Sequence, residues 1–132
     1  YIQNGQQYDT AIQVVGNPIS AETAHTITKM LETSLQQESS DALVEGYSVA
    51  GKTGTAEIAV NGEYSSNQTN ASFVGWGPTD APQFLVYVWL EKPSSSIWGS
   101  VVAAPVFRDV VKQLVVLMNI PPDAERLSLK GQ

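Results

Sequence analysis

Near the start of the chain, hydrophobic residues recur at helical spacing. Residues 1–18 are mostly polar and end in the turn-forming run Gly16-Asn17-Pro18. Ser20 is a favourable N-cap, and Glu22 suits the first turn of a helix. Apolar residues then share one helical face at Ala24, Ile27, Leu31 and Leu35. The pattern predicts a helix from Ser20 that ends at the polar residues 39–41.

The middle of the chain has the alternation of β-strands. It predicts strands over about residues 47–60, 71–76 and 84–90. Asn61-Gly62 predicts a tight hairpin turn, and residues 77–82 form a second, dense turn. The polar residues 63–70 are interpreted as a loop, with a short returning strand as the alternative. Residues 84–90 are almost continuously apolar, which predicts burial on both faces of that strand.

A second helix is predicted from about Ala104, because Pro105 is tolerated in a first turn. Residues 119–122 carry two prolines that stop it, and residues 123–132 are interpreted as a loose polar tail. The predicted buried stripe of this helix consists of Val106, Phe107, Val110, Leu114 and Leu117.

The order of helix, three strands and helix indicates an α+β fold. Consecutive strands joined by short turns predict an antiparallel sheet of at least three strands, in which residues 49–58 pair with 71–77 and these with 83–90. The N-terminal and C-terminal helices are expected to pack on one face of this sheet.

Composition excludes several classes of function. The 132 residues are 42% hydrophobic and 15% charged, which is typical of one globular domain. The net charge of −6 and the lack of a basic stripe argue against nucleic acid as a partner. With no cysteine and one histidine, no metal or other cofactor is expected. The chain begins at Tyr1 without an initiator methionine, so we expect it to be a piece of a longer protein.

The most informative motif is Lys52-Thr53-Gly54-Thr55. In a strand, alternate side chains face the same way, so Thr53 and Thr55 are predicted to share one side. Gly51 and Gly54 leave the strand thin, so that another backbone or a ligand can approach. A cation and two hydroxyls on such a strand suit the binding of a carboxylate or an oxyanion.

Residues 46–53 also match the phosphate-binding pattern G-x-x-x-x-G-K-[ST]. That motif requires a helix that begins at its lysine, whereas the residues after Thr53 alternate as in a strand. A nucleotide-binding loop and a purely structural glycine-rich hairpin therefore remain as alternatives.

Four segments in order carry a resemblance to a known family. They are Gly51-Lys52-Thr53-Gly54-Thr55-Ala56-Glu57, Ala71-Ser72-Phe73-Val74-Gly75-Trp76, the apolar strand 84–90, and Ala103-Ala104-Pro105-Val106-Phe107. Together they resemble the C-terminal part of a class B penicillin-binding protein transpeptidase domain. The resemblance implies that residues 1–122 form part of a β-lactamase/transpeptidase-like fold.

The resemblance also implies a function. Such domains are D,D-transpeptidases that cross-link peptidoglycan through a serine acyl-enzyme, in cell division or cell shape, and they bind β-lactams. The implied partners are the D-Ala-D-Ala stem peptide, β-lactams, and either the missing N-terminal part of the domain or a second copy. The implied location is the extracytoplasmic face of the bacterial membrane, with an N-terminal anchor that is absent here.

Roles follow for the motif residues. Lys52 would place positive charge near the nucleophile and the substrate carboxylate, and the hydroxyls of Thr53 and Thr55 would bind that carboxylate. The backbone N–H of Thr55 would be one of two oxyanion donors. Gly54 would let the substrate lie along the strand.

Two family motifs are missing. No serine is followed three residues later by lysine, so the S-x-x-K nucleophile is absent from this chain. The pattern S-x-N occurs only at Ser65-Ser66-Asn67, after the K-T-G and in a polar segment that we interpret as a loop. The chain alone is therefore expected to be inactive. A β-lactamase or a β-lactam sensor of the same fold is an alternative to a transpeptidase. The absent upstream sequence would distinguish among the three.

The single histidine and the three tryptophans are further candidates. His25 is interpreted as a surface histidine, not a general base. Trp76 and Trp89 are predicted to be core residues of strands. Trp98 follows a serine-rich loop. For this tryptophan, exposure near a ligand and burial are equally expected.

Overall fold

The structure is a computed structural model that describes residues 2–9, 11, 13–38, 40–60 and 62–130. Its helices and strands, in chain order, are β1 (Ile2–Gln3), β2 (Gln6–Gln7), α1 (Ala21–Gln37), β3 (Ala50–Val60), β4 (Glu63–Gly77), β5 (Phe84–Glu91), α2 (Gly99–Val102), α3 (Ala104–Leu117) and α4 (Asp123–Lys130). Strands β1 and β2 form a separate small hairpin, and β3, β4 and β5 form the main sheet.

Helix α1 confirms the sequence prediction at its start. The Ser20 Oγ accepts a hydrogen bond of 3.1 Å from the Thr23 backbone N–H, which satisfies one of the free amides of the first turn. Near the other end, Leu35 is buried. The helix ends at Gln37, and Ser39 of the predicted polar stop lies outside the described residues.

The main sheet has the predicted antiparallel order β3-β4-β5. Thr55 pairs with Ala71, and Ala71 in turn pairs with Leu90. Lys52 lies inside a strand, so the helix that a phosphate-binding loop requires is not formed there, and that alternative is wrong. Of the predicted turn, Gly62 has the expected positive φ of 87°, and Asn61 lies outside the described residues.

The polar residues 63–70 are not a loop. They form the first half of β4, and the pairing continues through a register shift between Glu57 and Ile58. This part of the hairpin extends past the end of β5, whose pairing with β4 stops at Asn70. Of its described side chains, those of Glu63, Tyr64, Asn67 and Gln68 are exposed, and the sequence of this segment shows no apolar alternation.

Strand β5 is buried on one face only. Phe84 is 9% exposed, whereas Leu85, Tyr87 and Trp89 on the other face are 67%, 60% and 50% exposed. The predictions that this strand is buried on both faces, and that Trp89 is a core residue, are therefore wrong. Among the described residues no element covers Tyr87 and Trp89.

The core lies where α3 crosses the sheet. The rings of Phe73 and Phe107 are 4.8 Å apart between centroids and tilted by 48°, and both are fully buried. Gly75 makes room for this contact, because a Cβ there would lie 2.6 Å from the Phe107 ring.

The predicted start of α3 at Ala104, with Pro105 in its first turn, is confirmed. Its predicted stripe is partly wrong. The fully buried residues of this helix are Ala104, Phe107, Val111 and Val115, and Leu114 is partly buried. Val106, Val110 and Leu117 are exposed, because seating Phe107 over Gly75 turns them away from the sheet.

The α+β class is confirmed, but the two long helices lie on opposite faces of the sheet. Helix α3 covers the face of Phe73. Ala24 and Ile27 of α1 instead line a shallow cleft with Trp76 and Leu85, which are paired neighbours on the other face. The expectation that both helices pack on one face is therefore wrong, and the sheet is the middle of three layers.

The expectation of a loose tail is wrong for residues 123–130, which form α4. Arg126 is 8% exposed and pairs with Asp80 and Asp123. Residues 131–132 lie outside the described part of the chain. No helix in that described part is long and apolar enough to cross a membrane.

Candidate functional site

The predicted site residues lie on β3, which within the described part of the chain pairs with β4 on one side and with no strand on the other. Gly54 and Ser72 are paired, and their backbone atoms Gly54 O, Ser72 O and Ser72 N come together beneath Gly99. This places Gly54 and Ser72 in a hydrogen-bonded position of the ladder. In an antiparallel pair the next residues point their backbone groups the other way. The N–H and C=O groups of Thr53 and Thr55 therefore face the free edge of the sheet.

The Lys52 side chain bends toward that free edge. Its Nζ donates to the backbone oxygen of Thr53 at 3.3 Å and lies 3.2 Å from the Thr53 Oγ1. Lys52 belongs to the face opposite Thr53, so the side chain wraps round the strand to make both contacts. The result is an exposed ammonium group next to a hydroxyl and an open row of backbone polar groups.

Thr53 and Thr55 share one side of β3, as the alternation predicts. They pair with Phe73 and Ala71, which lie on the face covered by α3. The Thr55 Oγ1 accepts a hydrogen bond of 3.3 Å from the Gly99 backbone N–H. Thr55 is nevertheless exposed, so its hydroxyl is within reach of a ligand at the edge.

Gly54 makes room on the opposite face. A Cβ at this position would lie 2.5 Å from the Ser72 Oγ of the neighbouring strand. A larger residue there would require the Ser72 hydroxyl to rotate away. The glycine therefore leaves room for that hydroxyl, in addition to the role in ligand approach that the sequence suggested.

The other candidate residues lie outside this group. His25 is exposed on α1, as predicted. Asn67 is in β4 and not in a loop, and the neighbouring Ser65 pairs with Ile58. Ile58 is six positions along the strand from Lys52, roughly 20 Å away. The S-x-N match is therefore remote from the K-T-G.

The tryptophans differ from one another. Trp76 is partly buried beside α1, in partial agreement with its predicted core position. Trp98 directly precedes Gly99 and is 56% exposed, so of the two outcomes that the sequence left open the structure has the exposed one. Gly99 itself was missed by the sequence reasoning, because its contact with Thr55 spans 44 residues. No group of three metal-ligating side chains is brought together in the part of the chain that the structure describes.

Comparison with known proteins shows the family of this chain. The family model described as penicillin binding protein transpeptidase domain matches residues 2–112, most of the chain and all of the K-T-G strand. The chain belongs to this transpeptidase family. Stage V sporulation protein D of Bacillus subtilis (strain 168) is 35% identical over 116 residues, which are 86% of this chain and 18% of that protein. The probable peptidoglycan D,D-transpeptidase PenA of Neisseria flavescens is 36% identical over 80 residues, 60% of this chain and 20% of that protein.

Solved structures of transpeptidase proteins share the fold. The apo transpeptidase domain of penicillin-binding protein 3 from Burkholderia pseudomallei matches with a TM-score of 0.70 and 35% identity, over 77% of this chain and 32% of that one. Penicillin-binding protein 3 from Mycobacterium tuberculosis, complexed with ampicillin, matches with a TM-score of 0.68 and 31% identity, over 79% of this chain and 26% of that one. The transpeptidase segment described here thus spans about a fifth of the length of these two curated relatives.

Proposed function

We propose that this chain is the C-terminal part of a serine-type D,D-transpeptidase that cross-links peptidoglycan stem peptides and binds β-lactams. Residues 1–122 belong to the transpeptidase domain in this proposal, and residues 123–132 extend beyond it. The observation that carries the proposal is the free edge of β3. It presents the Lys52 ammonium, the Thr53 and Thr55 hydroxyls and outward-facing backbone groups on the strand that the transpeptidase family model covers.

The edge suits a peptide that ends in a carboxylate. An extended donor peptide adds to β3 as a further strand, since the backbone groups of Thr53 and Thr55 face the open edge, where the Thr53 carbonyl also accepts from the Lys52 ammonium. Its terminal carboxylate then meets the Thr53 and Thr55 hydroxyls and the Lys52 charge. The Thr55 N–H is one of the donors that stabilise the oxyanion formed when the donor carbonyl is attacked. A β-lactam uses the same groups through its own carboxylate and carbonyl.

The nucleophile comes from another segment in this proposal. No serine of this chain has the S-x-x-K context, so the acyl-enzyme forms on a serine upstream of Tyr1 in the same protein. The names of the relatives, peptidoglycan D,D-transpeptidases among them, favour a transpeptidase over a β-lactamase or a sensor.

The exposed face of β5 is evidence that another part of the same domain packs against it. Leu85, Tyr87 and Trp89 form an apolar row on a half-open sheet, which is unfavourable in water. We propose that the N-terminal remainder of the domain covers this row, with a second copy of the chain as the alternative. The enzyme acts at the extracytoplasmic face of the bacterial membrane and is held there by an N-terminal anchor.

The test is acylation of the longer protein that carries this segment together with an S-x-x-K serine. A fluorescent penicillin is expected to label the wild type, and Lys52→Ala and Thr55→Val to slow labelling about tenfold or more. Lys112→Ala, which removes an exposed lysine of α3, is the matched control and should label at the wild-type rate. Absence of wild-type labelling at excess penicillin would refute the proposed function.

A further inference from the structure

Gly99 is packed onto the K-T-G strand more closely than any other residue type would allow. A Cβ at this position would lie 2.5 Å from Gly54 O and 2.5 Å from Ser72 O. Both contacts are with backbone, which cannot swing aside as a long side chain would. The approach is possible because the Gly54 position and the Ser72 side chain lie on the other face of the sheet. The start of α2 therefore rests directly on the middle of the motif.

The residues before Gly99 are fixed by a second, independent contact. Thr69 is 1% exposed, and its Oγ1 donates a hydrogen bond of 2.7 Å to the backbone oxygen of Ile97. The Thr69 carbonyl in turn accepts from the Lys92 backbone N–H at 3.0 Å. The segment between β5 and α2 is thus held at two points by one buried threonine. These two hydrogen bonds fix the position of Gly99 against β3.

The hydrogen bond from the Gly99 amide to the Thr55 hydroxyl restricts the direction in which that hydroxyl can donate its proton. A threonine hydroxyl has one proton and two lone pairs. Its Oγ1 accepts from the Gly99 amide, so the hydroxyl proton must point in another direction. Thr55 is exposed at the free edge, and a β-branched side chain has few rotamers. The proton is thereby left for a ligand acceptor.

We propose that Gly99 is a positioning residue for carboxylate binding: its amide holds the Thr55 hydroxyl with the proton directed to the ligand, and its missing side chain makes this contact possible. The ligand class is a peptide or β-lactam with a free carboxylate. This inference rests on the proposed function, but it assigns a role to a residue outside the K-T-G motif and on a different element. Gly99 does not touch the ligand in this proposal, and acts through Thr55 alone.

The first experiment is a double-mutant cycle in the longer protein that carries an S-x-x-K serine. Gly99→Ala, Thr55→Val and the combined variant are compared for the second-order rate of acylation by a penicillin. The single variants are expected to lose about tenfold or more. The combined variant should lose little beyond Thr55→Val, because Gly99 has no hydroxyl left to position. Losses that multiply would overturn the proposal.

A penicillin methyl ester, used as a second probe, shows whether a change in the acylation rate depends on the ligand carboxylate. Without the carboxylate, the ester should react with wild type and Gly99→Ala at rates that differ far less than the penicillin rates do. An equal loss with both probes would mean that Gly99→Ala only disturbs the fold, and would overturn the proposal. Gly16→Ala is the control substitution, since a Cβ there has nothing within 4 Å. It should react with both probes like the wild type.

A second measurement does not depend on Gly99→Ala folding. Amide hydrogen exchange at Gly99 is compared in wild type, Thr55→Ser and Thr55→Val. Serine keeps the acceptor and should retain the protection of this amide, whereas valine should raise its exchange rate. Equal exchange in Thr55→Ser and Thr55→Val would contradict the contact. A wild-type protein that is not acylated at all would refute the proposed function, whereas a labelled protein with no coupling refutes this inference alone.

Discussion

Arg126 and Asp80 form a bidentate ion pair between helix α4 and the turn after β4. The Arg126 Nη1 and Nη2 lie 3.1 and 2.7 Å from the two carboxylate oxygens of Asp80. Asp123, which also pairs with Arg126, accepts from the Ser48 backbone N–H at 2.6 Å. The residues that lead into the K-T-G strand are thus tied to the last helix of the chain.

Replacing Arg126 should destabilise the fold strongly. Arg126→Ala removes a nearly buried partner of two carboxylates, and we expect the free energy of unfolding to fall by about 2–4 kcal/mol. Chemical denaturation measures this. Arg108→Ala is the matched control, because Arg108 forms a surface ion pair with its neighbour Asp109. This substitution should cost less than about 1 kcal/mol. Similar losses for the two variants would contradict the role given to Arg126.

The stabilisation by Arg126 should not depend on arginine titration near neutral pH. Hydrogen bonding to Asp80 is the main cause that raises the pKa of Arg126 above its usual value. A raised pKa of a base adds stability that is complete below the unfolded-state pKa and is lost only as the pH rises past the folded-state pKa. The difference in unfolding free energy between wild type and Arg126→Ala should therefore stay constant from neutral to mildly alkaline pH. A steady decline over that range would be inconsistent with this sign.

Gly75→Ala should destabilise the core by about 1–3 kcal/mol. The new methyl group would meet the Phe107 ring at 2.6 Å and the Phe73 ring at 2.9 Å. Phe107→Leu should cost less in the Gly75→Ala background than in the wild type, because the smaller side chain leaves room for the methyl. Thermal unfolding of the four proteins measures this coupling. Strictly additive effects would show that the two positions do not compete for space.

The chain by itself should form no covalent adduct with a β-lactam. It carries the K-T-G strand, for which carboxylate binding is proposed, but no serine followed three residues later by lysine. Intact-mass spectrometry after incubation with excess penicillin measures this, with the longer S-x-x-K-containing protein as the positive control. A stoichiometric acyl adduct on any serine of the isolated chain would show that the nucleophile was misidentified.

The isolated chain should also self-associate at micromolar concentration. The exposed row Leu85, Tyr87 and Trp89 lies on one side of β5 and offers a contiguous apolar surface. Light scattering should give a mass above 14.2 kDa. Leu85→Thr combined with Trp89→Thr should shift the chain toward monomer. Val116→Thr, which replaces a residue of α3 that is 75% exposed, is the control and should leave the association unchanged. A well-behaved wild-type monomer with cooperative unfolding would contradict the prediction.

Local signals in the sequence were sufficient for α1 and for the core of the sheet. Ser20 and the helical spacing up to Leu35 specify the helix without reference to the rest of the chain. The first half of β4 could not be found this way, because Glu63, Tyr64, Asn67 and Gln68 are exposed, and exposed strand positions need no apolar pattern. The stripe of α3 was misplaced because valines occupy several of its faces, and only the fit of Phe107 over Gly75 decides between them.

The candidate site and its surroundings likewise include residues that local sequence patterns identify and residues that they do not. The K-T-G residues form a local motif, and their shared side and strand follow from alternation alone. Gly99 and Arg126 act over 44 and 46 residues of sequence, on Thr55 and Asp80 respectively. No spacing rule in a single sequence connects such positions. They emerge only when the sheet and the last helices are assembled.

The lysine on β3 has a further effect, on aggregation. An open strand edge is a template on which any extended chain can grow, and natural proteins often guard such edges with lysine. The Lys52 ammonium lies against the Thr53 carbonyl at this edge. Two copies that met edge to edge would add positive charge at the shared edge, whereas the carboxylate of the proposed peptide ligand would neutralise the Lys52 charge. If the proposed function holds, the same side chain both favours the anionic peptide and disfavours pairing between copies.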